Sequence, residues 1–373
     1  MIVASIFGRS TQFAARLEGM GTTRFAYWAG LIAASLAAGV ACSSSTTTSD
    51  PTPSPSTPPA STSAPSRPAP STSTPGTPTS PAPPATPPNP VSLQALMVKK
   101  YNGSNLRLGR VIARTDAYTK YFITYSSGSL TISGIMNVPR TPGRHPALVL
   151  NHGHIDTAIY TNGRGLMREQ DYLARRGYVV LHTDYRNHAQ SSKDPNSEVN
   201  LRIGYTEDVI NAVLALKTSP YVDPRRVGLF GRSMGGGITY NVLVAQPGLV
   251  KAAVVYAPVS SDAADNFNRW IRPDTTAAAA ILKAHGEPAA NPTFWRNLSA
   301  VNFFNRITEP VLIQHGLADS TCPVAWSRET LAALKKAGKS ASLYTYPGEE
   351  HAFAAAWPSS MARTVTFLKQ QGL

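Results

Sequence analysis

Short apolar runs alternate with amphipathic segments from residue 146 to the C-terminus. Six runs have a continuous apolar centre, as expected for strands buried on both faces of a parallel sheet: PALVL (146–150), GYVVLHTDY (177–185), RVGLFG (226–231), KAAVVYAP (251–258), PVLIQHG (310–316) and ASLYTYPG (341–348). Apolar positions at helical spacing mark residues 164–176, 205–217, 324–337 and 358–370. Strands that alternate with helices predict right-handed βαβ units around a mostly parallel sheet, so the predicted fold class is α/β.

A predicted hairpin and one long insertion depart from this alternation of strands and helices. YTKYFITYS and LTISGIMNVP alternate apolar and polar residues around SGS, which predicts an antiparallel hairpin at the N-terminal edge of the sheet. Residues 262–306 are too long for a simple connection and predict a helical excursion over the sheet edge. Most of its aromatic residues are expected to pack on the core, and one or two to line a pocket: Trp270, Phe294, Trp295, Phe303 and Phe304.

Ahead of this region the composition changes twice. Residues 25–41 form an apolar run that follows Arg24 and ends in small residues, which is the layout of an export signal; residues 1–41 are therefore a predicted signal peptide. Residues 42–90 are almost entirely Ser, Thr, Pro and Ala and cannot bury a core, so they are predicted to form a disordered tether. One folded domain is then expected over residues 91–373.

The end of the predicted signal, AAGVAC, resembles the bacterial lipoprotein box, in which the cysteine is lipidated. Cys42 is therefore a predicted lipidation site. Gly39 stands where this box usually has leucine, so secretion without lipidation is the alternative. In both cases the protein is expected to be exported, either as a cell-envelope lipoprotein or in secreted form, with membrane attachment only through the N-terminal lipid.

The chain carries a formal net charge of +14. Residues 1–41 contribute +2 and the tether contributes zero, which leaves +12 on the predicted domain. We interpret this charge as a basic solvated surface and expect no nucleic-acid partner, because no run of Lys and Arg with interleaved aromatic residues occurs. The only other cysteine of the chain is Cys322, which we interpret as a packing residue.

The stretch GLFGRSMGGG (228–237) places G-x-S-x-G where a predicted strand ends and a helix begins. Such a turn strains the backbone of the serine and leaves room only for glycine two residues to either side. Ser233 would lie at the helix N-terminus, where free N–H groups and the helix dipole favour developing negative charge. The motif in this context predicts a catalytic nucleophile at Ser233, with a plain glycine-rich turn as the alternative.

A serine nucleophile needs a base, and the base needs an acid that orients it. VLIQHGLAD ends at Asp319 and LYTYPGEEHAF contains His351, each just beyond a later strand, in the Ser–Asp–His order of hydrolases. Asp319 is therefore the predicted acid and His351 the predicted base. The rival acids, Glu349 and Glu350, lie too close to the histidine in sequence, and the rival base, His315, lies in a strand end and is expected to be structural.

NHGHIDT (151–157) follows the strand PALVL, the position from which such folds supply part of an oxyanion hole. The backbone N–H groups of His154 and Met234 are predicted to bind the substrate oxygen. The competing interpretation is a metal site, because H-x-H-x-D begins a motif of the metallo-β-lactamase fold; however, Thr157 stands where the next histidine should be. We therefore expect neither a metal nor another cofactor.

Four of these stretches, PALVLNHG, GRSMGG, PVLIQHGLADSTCPV and YPGEEHAF, together resemble the catalytic domain of the prolyl oligopeptidase family of α/β-hydrolases. They also resemble the related dienelactone-hydrolase-like esterases. The likeness covers about residues 120–370 and implies an α/β-hydrolase catalytic domain over residues 91–373. It implies a serine hydrolase that cleaves a small ester or peptide through an acyl-enzyme, with the roles given above for Ser233, Asp319, His351, His154 and Met234.

The chain departs from this family in two respects. In DYRNHAQSS (184–192) two residues replace family glycines; we interpret the loop as structural, with Asp184 and Arg186 as a candidate ion pair. Family peptidases also carry a β-propeller that screens substrates, whereas only residues 91–145 precede the core strands here. A carboxylesterase without peptidase activity is therefore an alternative, and a non-catalytic binding module is a more distant one. Oligomeric state is not predicted.

Overall fold

The computed structural model describes residues 87–373. The predicted signal peptide, the lipidation site Cys42 and nearly all of the tether lie outside the described residues, so these assignments stay predictions. The described part forms one mixed sheet with helices on both faces. Among the helices in this part of the chain, none is both long and apolar enough to cross a membrane.

The sheet is antiparallel at its N-terminal edge and parallel elsewhere, as predicted. Its strands are β1 (Ser104–Arg114), β2 (Tyr118–Ser127), β3 (Leu130–Pro139), β4 (His145–Asn151), β5 (Val179–Thr183), β6 (Val222–Arg232), β7 (Ala253–Tyr256), β8 (Val311–Gly316) and β9 (Ala341–Tyr346). Their order across the sheet is β1-β2-β3-β5-β4-β6-β7-β8-β9. Pairing is antiparallel from β1 to β5 and parallel from β5 to β9. The predicted α/β class is therefore confirmed.

The helices connect and cover these strands. They are α1 (Leu93–Val98), α2 (Met167–Ala174), α3 (Gly204–Lys217), α4 (Met234–Ala245), α5 (Ala263–Asn266), α6 (Thr275–His285), α7 (Pro292–Leu298), α8 (Val324–Lys336) and α9 (Trp357–Gln370). The four segments with helical spacing correspond to α2, α3, α8 and α9. The pattern analysis missed α1 and β1, because β1 is an edge strand with register shifts and a largely exposed second half, so it buries no regular stripe.

Two hydrophobic cores lie on the two faces of the sheet. Along β4, Ala147 and Val149 belong to one core and Leu148 and Leu150 to the other, because successive strand residues point to opposite faces. Helices α3 and α4 contribute to the first core, and α2 and α9 contribute to the second. All four β4 residues are fully buried, which explains why PALVL is apolar throughout rather than alternating.

Residues 262–306 form the predicted helical excursion, which contains α5, α6 and α7, a π-helical turn at Phe267–Ile271 and a 3₁₀ segment at Ala300–Arg306. The Asp274 carboxylate caps α6, and the Asn291 side chain caps α7. The excursion packs on the first core through most of its aromatic side chains, as expected; the buried ones among those predicted are Phe294, Trp295 and Phe304.

The loop after β5 is structural, but the predicted pairing of Asp184 with Arg186 is wrong. Asp184 accepts hydrogen bonds from four groups of β3 and the loop that follows β4: the side chains of Ser133, Tyr160 and Asn162 and the N–H of Gly163. Arg186 instead forms an ion pair with Asp208 of α3 at 2.8 Å, and further pairs with Glu207 and Asp194. Each side chain thus finds partners in elements that are distant in sequence.

Three buried histidines lie at the carboxyl edge of the sheet. The ring of His152 stacks on those of His182 and Tyr185, with centroids 5.3 and 4.3 Å apart, and meets the ring of His188 edge-on at 5.3 Å. Burial lowers the pKa of all three imidazoles, that of His182 to about 4. The unfolded chain therefore binds protons at these histidines more readily than the folded protein does.

Acidification is expected to destabilise the fold through these histidines. A histidine whose folded pKa is depressed contributes stability that is present above its unfolded pKa of 6.5 and is lost as the pH falls towards the folded value. For His182 the loss between pH 7 and pH 5 is about 2 kcal/mol. Urea unfolding at both pH values should show a weaker pH dependence in His182→Gln than in the wild type. His145→Gln, at the start of β4, is the control; an unchanged pH dependence in His182→Gln would contradict the prediction.

Candidate active site

Four loops that carry the predicted site residues meet at one edge of the sheet. They follow β4, β6, β8 and β9, which are parallel to one another, so their carboxyl ends lie on the same side. In open α/β sheets this edge is where ligands bind. The topology therefore collects residues from positions 152 to 351 at one place.

Ser233 lies at the turn between β6 and α4 in a strained conformation. Its φ of 58° and ψ of −124° are unusual for a residue with a side chain. A Cβ atom on Gly231 would overlap the carbonyl of Gly235, and a Cβ atom on Gly235 would overlap that of Asn151. The glycines of G-x-S-x-G are therefore required by close backbone approach, as the sequence predicted, and the serine is presented at the helix N-terminus.

Asp319 and His351 form the pair expected of the predicted acid and base. The His351 Nδ1 lies 2.8 Å from Asp319 Oδ2. Burial alone would raise the pKa of the Asp319 carboxyl, but hydrogen bonds from His315, His351 and the Cys322 N–H hold it well below its usual value. The ionised carboxylate fixes the proton of His351 on Nδ1, which leaves Nε2 free to accept a proton from a serine.

Ser233 and His351 line the same cavity. Within the described residues the Ser233 hydroxyl donates no hydrogen bond to the His351 ring, a looseness that is common before substrate binds. The structure therefore brings the three predicted triad residues to one place, and their catalytic roles stay predictions.

His315, the rival base, is fully buried and has a different role. Its Nε2 lies 3.1 Å from Asp319 Oδ2 and 2.9 Å from the Cys322 carbonyl, and its Nδ1 lies 2.7 Å from Ser327 Oγ. Both ring nitrogens are thus engaged, and His315 donates to the same carboxylate oxygen that holds His351. The sequence indicated a structural histidine; it gave no sign that the contact would be with Asp319.

Glu349, a rival acid, supports the loop that carries His351. Its carboxylate accepts the backbone N–H of Ala354 and, at 2.6 Å, that of Ala356. Glu349 lies two residues before His351, and the two alanines lie three and five residues after it. The carboxylate therefore ties the two ends of the loop together around the histidine. Glu350, the other rival, is exposed. Neither glutamate contacts the His351 ring, as the sequence analysis expected from their proximity in the chain.

Two backbone N–H groups lie beside Ser233 without an acceptor in the described part of the chain. They belong to His154 and Met234, and both residues line the cavity. The N–H of Met234 is free because the first residues of a helix have no intrahelical acceptor. Gly153 allows the loop after β4 to approach Ser233 closely, since a Cβ atom on Gly153 would lie 3.1 Å from the Ser233 Cβ. This arrangement suits the predicted oxyanion hole, in which backbone amides bind the developing negative charge.

The alternative metal site at NHGHIDT is not assembled. His152 is buried among aromatic rings, whereas His154 lines the cavity. Among residues 87–373, no group of three or more His, Cys, Asp and Glu side chains is placed to hold a metal ion. The oxyanion-hole prediction for this stretch uses its amides and needs neither imidazole.

Cys322 is buried close to the acid, and the packing interpretation fits its surroundings. Burial and the nearby Asp319 carboxylate raise the pKa of its thiol to about 12. The thiol is therefore protonated at neutral pH and is a weak nucleophile.

The cavity above the serine has a volume of about 500 Å³. Its walls come from the four loops, from residues 198–205 before and at the start of α3, and from the helical excursion. Of the excursion aromatics named in the sequence analysis, Trp270 lines the cavity and is 43% exposed. Phe267, which the sequence analysis did not single out, lines it too. Such a volume suits a small substrate.

A strained serine at a strand–helix turn, with a histidine and an aspartate held at the same sheet edge, is the arrangement of a serine hydrolase with the α/β-hydrolase fold. Comparison with known proteins agrees with this class, because residues 165–372 match the prolyl oligopeptidase family. The chain belongs to this family.

Individual relatives share part of the chain. The uncharacterized peptidase YuxL of Bacillus subtilis is 30% identical over 203 residues, which cover 51% of this chain and 28% of that protein. The acylaminoacyl peptidase of Pyrococcus horikoshii is 20% identical with a TM-score of 0.54, over 69% of this chain and 42% of that one. The acetyl xylan esterase of Paenibacillus sp. R4 is 19% identical with a TM-score of 0.58, over 74% of this chain and 92% of that one.

These two solved structures share the fold with this chain, at identities that show no more than the fold. The chain spans less than a third of the length of the curated relatives it matches.

Replacing Glu349 by alanine is expected to impair catalysis by loosening the His351 loop. The kcat for ester hydrolysis should fall about tenfold or more, with a smaller change in KM, because displacement of a catalytic group chiefly affects the transition state. Steady-state kinetics well below the unfolding temperature measure both constants. The neighbouring exposed side chain offers the control, Glu350→Ala, which should retain wild-type kcat. Equal kcat in the two variants would show that Glu349 does not position the base.

Proposed function

We propose that the protein hydrolyses an ester or peptide acyl bond through an acyl-enzyme on Ser233. His351 Nε2 takes the hydroxyl proton while Ser233 Oγ attacks the acyl carbon. The same proton then passes to the departing alcohol or amine, and the acyl–oxygen or acyl–nitrogen bond breaks. Water, deprotonated by His351, releases the acid and restores the serine. Asp319 holds the imidazole, and the amides of His154 and Met234 bind the oxyanion.

One observation carries this proposal: a strained serine, a histidine held by Asp319 and two backbone N–H groups without an acceptor among residues 87–373 line one cavity. Strain of this kind persists only where surrounding structure enforces it, and it clusters at functional sites. A non-catalytic binding module would have no need for the glycines that permit the turn or for an ionised carboxylate behind the histidine.

Two substrate classes fit this chemistry, and a carboxylesterase without peptidase activity is the second candidate. The family match and the likeness to the peptidase YuxL favour a peptidase. The acetyl xylan esterase of Paenibacillus sp. R4, by contrast, aligns over 92% of its own length, whereas the Pyrococcus peptidase aligns over 42% of its own. This difference supports an esterase that uses the peptidase family's catalytic residues.

Substitution of Ser233 by alanine is expected to abolish turnover, with a loss of at least about a thousandfold in kcat, because nothing else at the site supplies the nucleophile. The measurement is kcat/KM on p-nitrophenyl acetate and on peptide anilides with proline at the cleaved position. A fluorophosphonate probe should label the wild type once and Ser233→Ala not at all, and EDTA should leave the activity unchanged. Undiminished turnover in Ser233→Ala would refute the mechanism, and the ratio of ester to anilide turnover separates the two substrate classes.

We also propose that the protein is exported and anchored to the cell envelope by a lipid on Cys42. The apolar run before Cys42, the lipoprotein-like box and the Ser/Thr/Pro-rich tether support this localisation. The lipid on Cys42 would attach the protein to the membrane, and the tether would act as a spacer between the membrane surface and the hydrolase domain.

Replacing Cys42 by alanine is expected to release the protein from the membrane fraction of a bacterial host that has the lipoprotein pathway. Metabolic labelling with a radioactive fatty acid should mark the wild type, and it should not mark Cys42→Ala. Cys322→Ala provides the control, since Cys322 is buried and should not affect labelling. A wild-type protein found only in the medium, without label, would support secretion without lipidation.

A further inference from the structure

Arg232 is an unusual residue to find next to a catalytic serine. It is the last residue of β6, it directly precedes Ser233, and it lines the cavity. Its guanidinium donates no hydrogen bond and forms no ion pair within the described part of the chain. Arg232 is half-buried, and arginine side chains that are drawn away from water are commonly paired, because a desolvated charge without a partner is costly. Burial also lowers the pKa of this guanidinium, with Glu169 opposing the effect.

The charges around the cavity do not neutralise Arg232. Arg202, the other arginine in the lining, has its own partner, because its Nη2 lies 2.6 Å from Glu198 Oε2. Glu169, which acts on Arg232 electrostatically, lies 3.8 Å from Arg168 and accepts a hydrogen bond from Trp357. Glu198 and Glu169 thus each have a cationic neighbour of their own, and among residues 87–373 no acidic side chain forms an ion pair with Arg232.

Arg232 shares the cavity lining with His351, and its charge is coupled to the start of α2, which contacts the His351 loop. The charged groups that act on it, Glu169 and Arg168, are at the start of α2. Arg168 donates to the carbonyls of Ala352 and Phe353, the two residues that follow His351. Since His351 is the group that returns the proton to the leaving alcohol or amine, the part of the substrate on this side is the leaving group.

We propose that Arg232 binds a carboxylate on the leaving group, so that the enzyme prefers esters or peptides whose departing portion is anionic. This inference rests on the proposed function and names its substrate class. A guanidinium matches a carboxylate through two parallel N–H···O bonds. One uncompensated positive charge suits the single negative charge of a carboxylate better than the double charge of a phosphate monoester. For a peptide substrate, the carboxylate would be the C-terminus or an acidic side chain just beyond the cleaved bond.

A matched pair of acetate esters tests the preference. The two substrates are 4-acetoxybenzoate, with a carboxylate on its leaving group, and 4-acetoxybenzamide, a neutral analogue of nearly the same shape. The measured quantity is the ratio of kcat/KM for the first ester to that for the second. Comparing this ratio between variants cancels the difference in intrinsic reactivity of the two esters.

Arg232→Gln should lower this ratio roughly ten- to hundredfold, the usual effect of losing hydrogen bonds to a charged group. Arg232→Lys keeps the charge without the bidentate geometry, so its ratio should lie between those of Arg232→Gln and the wild type. This second variant also guards against a folding defect in Arg232→Gln. Arg225→Gln is the matched control, because it removes the same charge from the same strand at a side chain that is 87% exposed. It should leave the ratio unchanged.

A binding measurement makes the result independent of turnover. Titration calorimetry on Ser233→Ala should give a Kd for 4-acetoxybenzoate roughly tenfold or more below that for 4-acetoxybenzamide, and Arg232→Gln in the same background should remove the difference. Equal ratios in wild type and Arg232→Gln, or equal Kd values for the two esters, would overturn the proposal. If the Arg232 proposal fails in this way but Ser233→Ala hydrolyses neither ester, the proposed hydrolysis through Ser233 still stands. If the wild type hydrolyses neither ester, the proposed function fails for this ester class, and the Kd comparison alone decides whether Arg232 binds the carboxylate.

Discussion

The buried carboxylate of Asp319 is the interaction on which the geometry of the site depends. Its Oδ1 accepts the N–H groups of Thr321 and Cys322 within its own turn, and its Oδ2 accepts His351 and His315. These bonds offset the cost of burying the charge and join the ends of β8 and β9. The carboxylate thus orients the His351 ring and fixes its own turn, so that neither loop can shift without disturbing the other.

The serine depends on a different constraint, the close packing of backbone around the β6–α4 turn. The Ser233 side chain accepts no hydrogen bond from the first turn of α4, and the strained conformation is set by the approach of Asn151 and Gly235. Since these contacts involve backbone atoms, the turn is rigid and can present the hydroxyl at a fixed position. Ser233 and the free amides of His154 and Met234 then form one side of the cavity, and the loop held by Asp319 and Glu349 forms another.

The helical excursion and the charged residues of the lining determine what the cavity can hold. The catalytic parts are common to peptidases and esterases, since acyl transfer to serine needs the same groups in both. Selectivity in the proposed hydrolase would therefore come from the other cavity walls, which include Phe267 and Trp270 of the excursion and Arg232 at the end of β6. An uncompensated guanidinium lowers stability, and its presence beside the nucleophile is understandable if a substrate provides the missing charge.

The sequence alone determined the α/β class, the helical excursion and the residues that the sheet edge collects. Continuous apolar runs identify strands buried on two faces, and the glycines of G-x-S-x-G report a backbone conflict between near neighbours in the chain; both signals are local. Only the tertiary structure decided which distant groups meet. It gave Asp184 and Arg186 separate partners, placed His315 against Asp319 and made Glu349 the support of the His351 loop. Among residues 87–373 it placed no acidic side chain in an ion pair with Arg232. Such pairings arise from the packing of segments far apart in sequence, and no spacing along the chain specifies them.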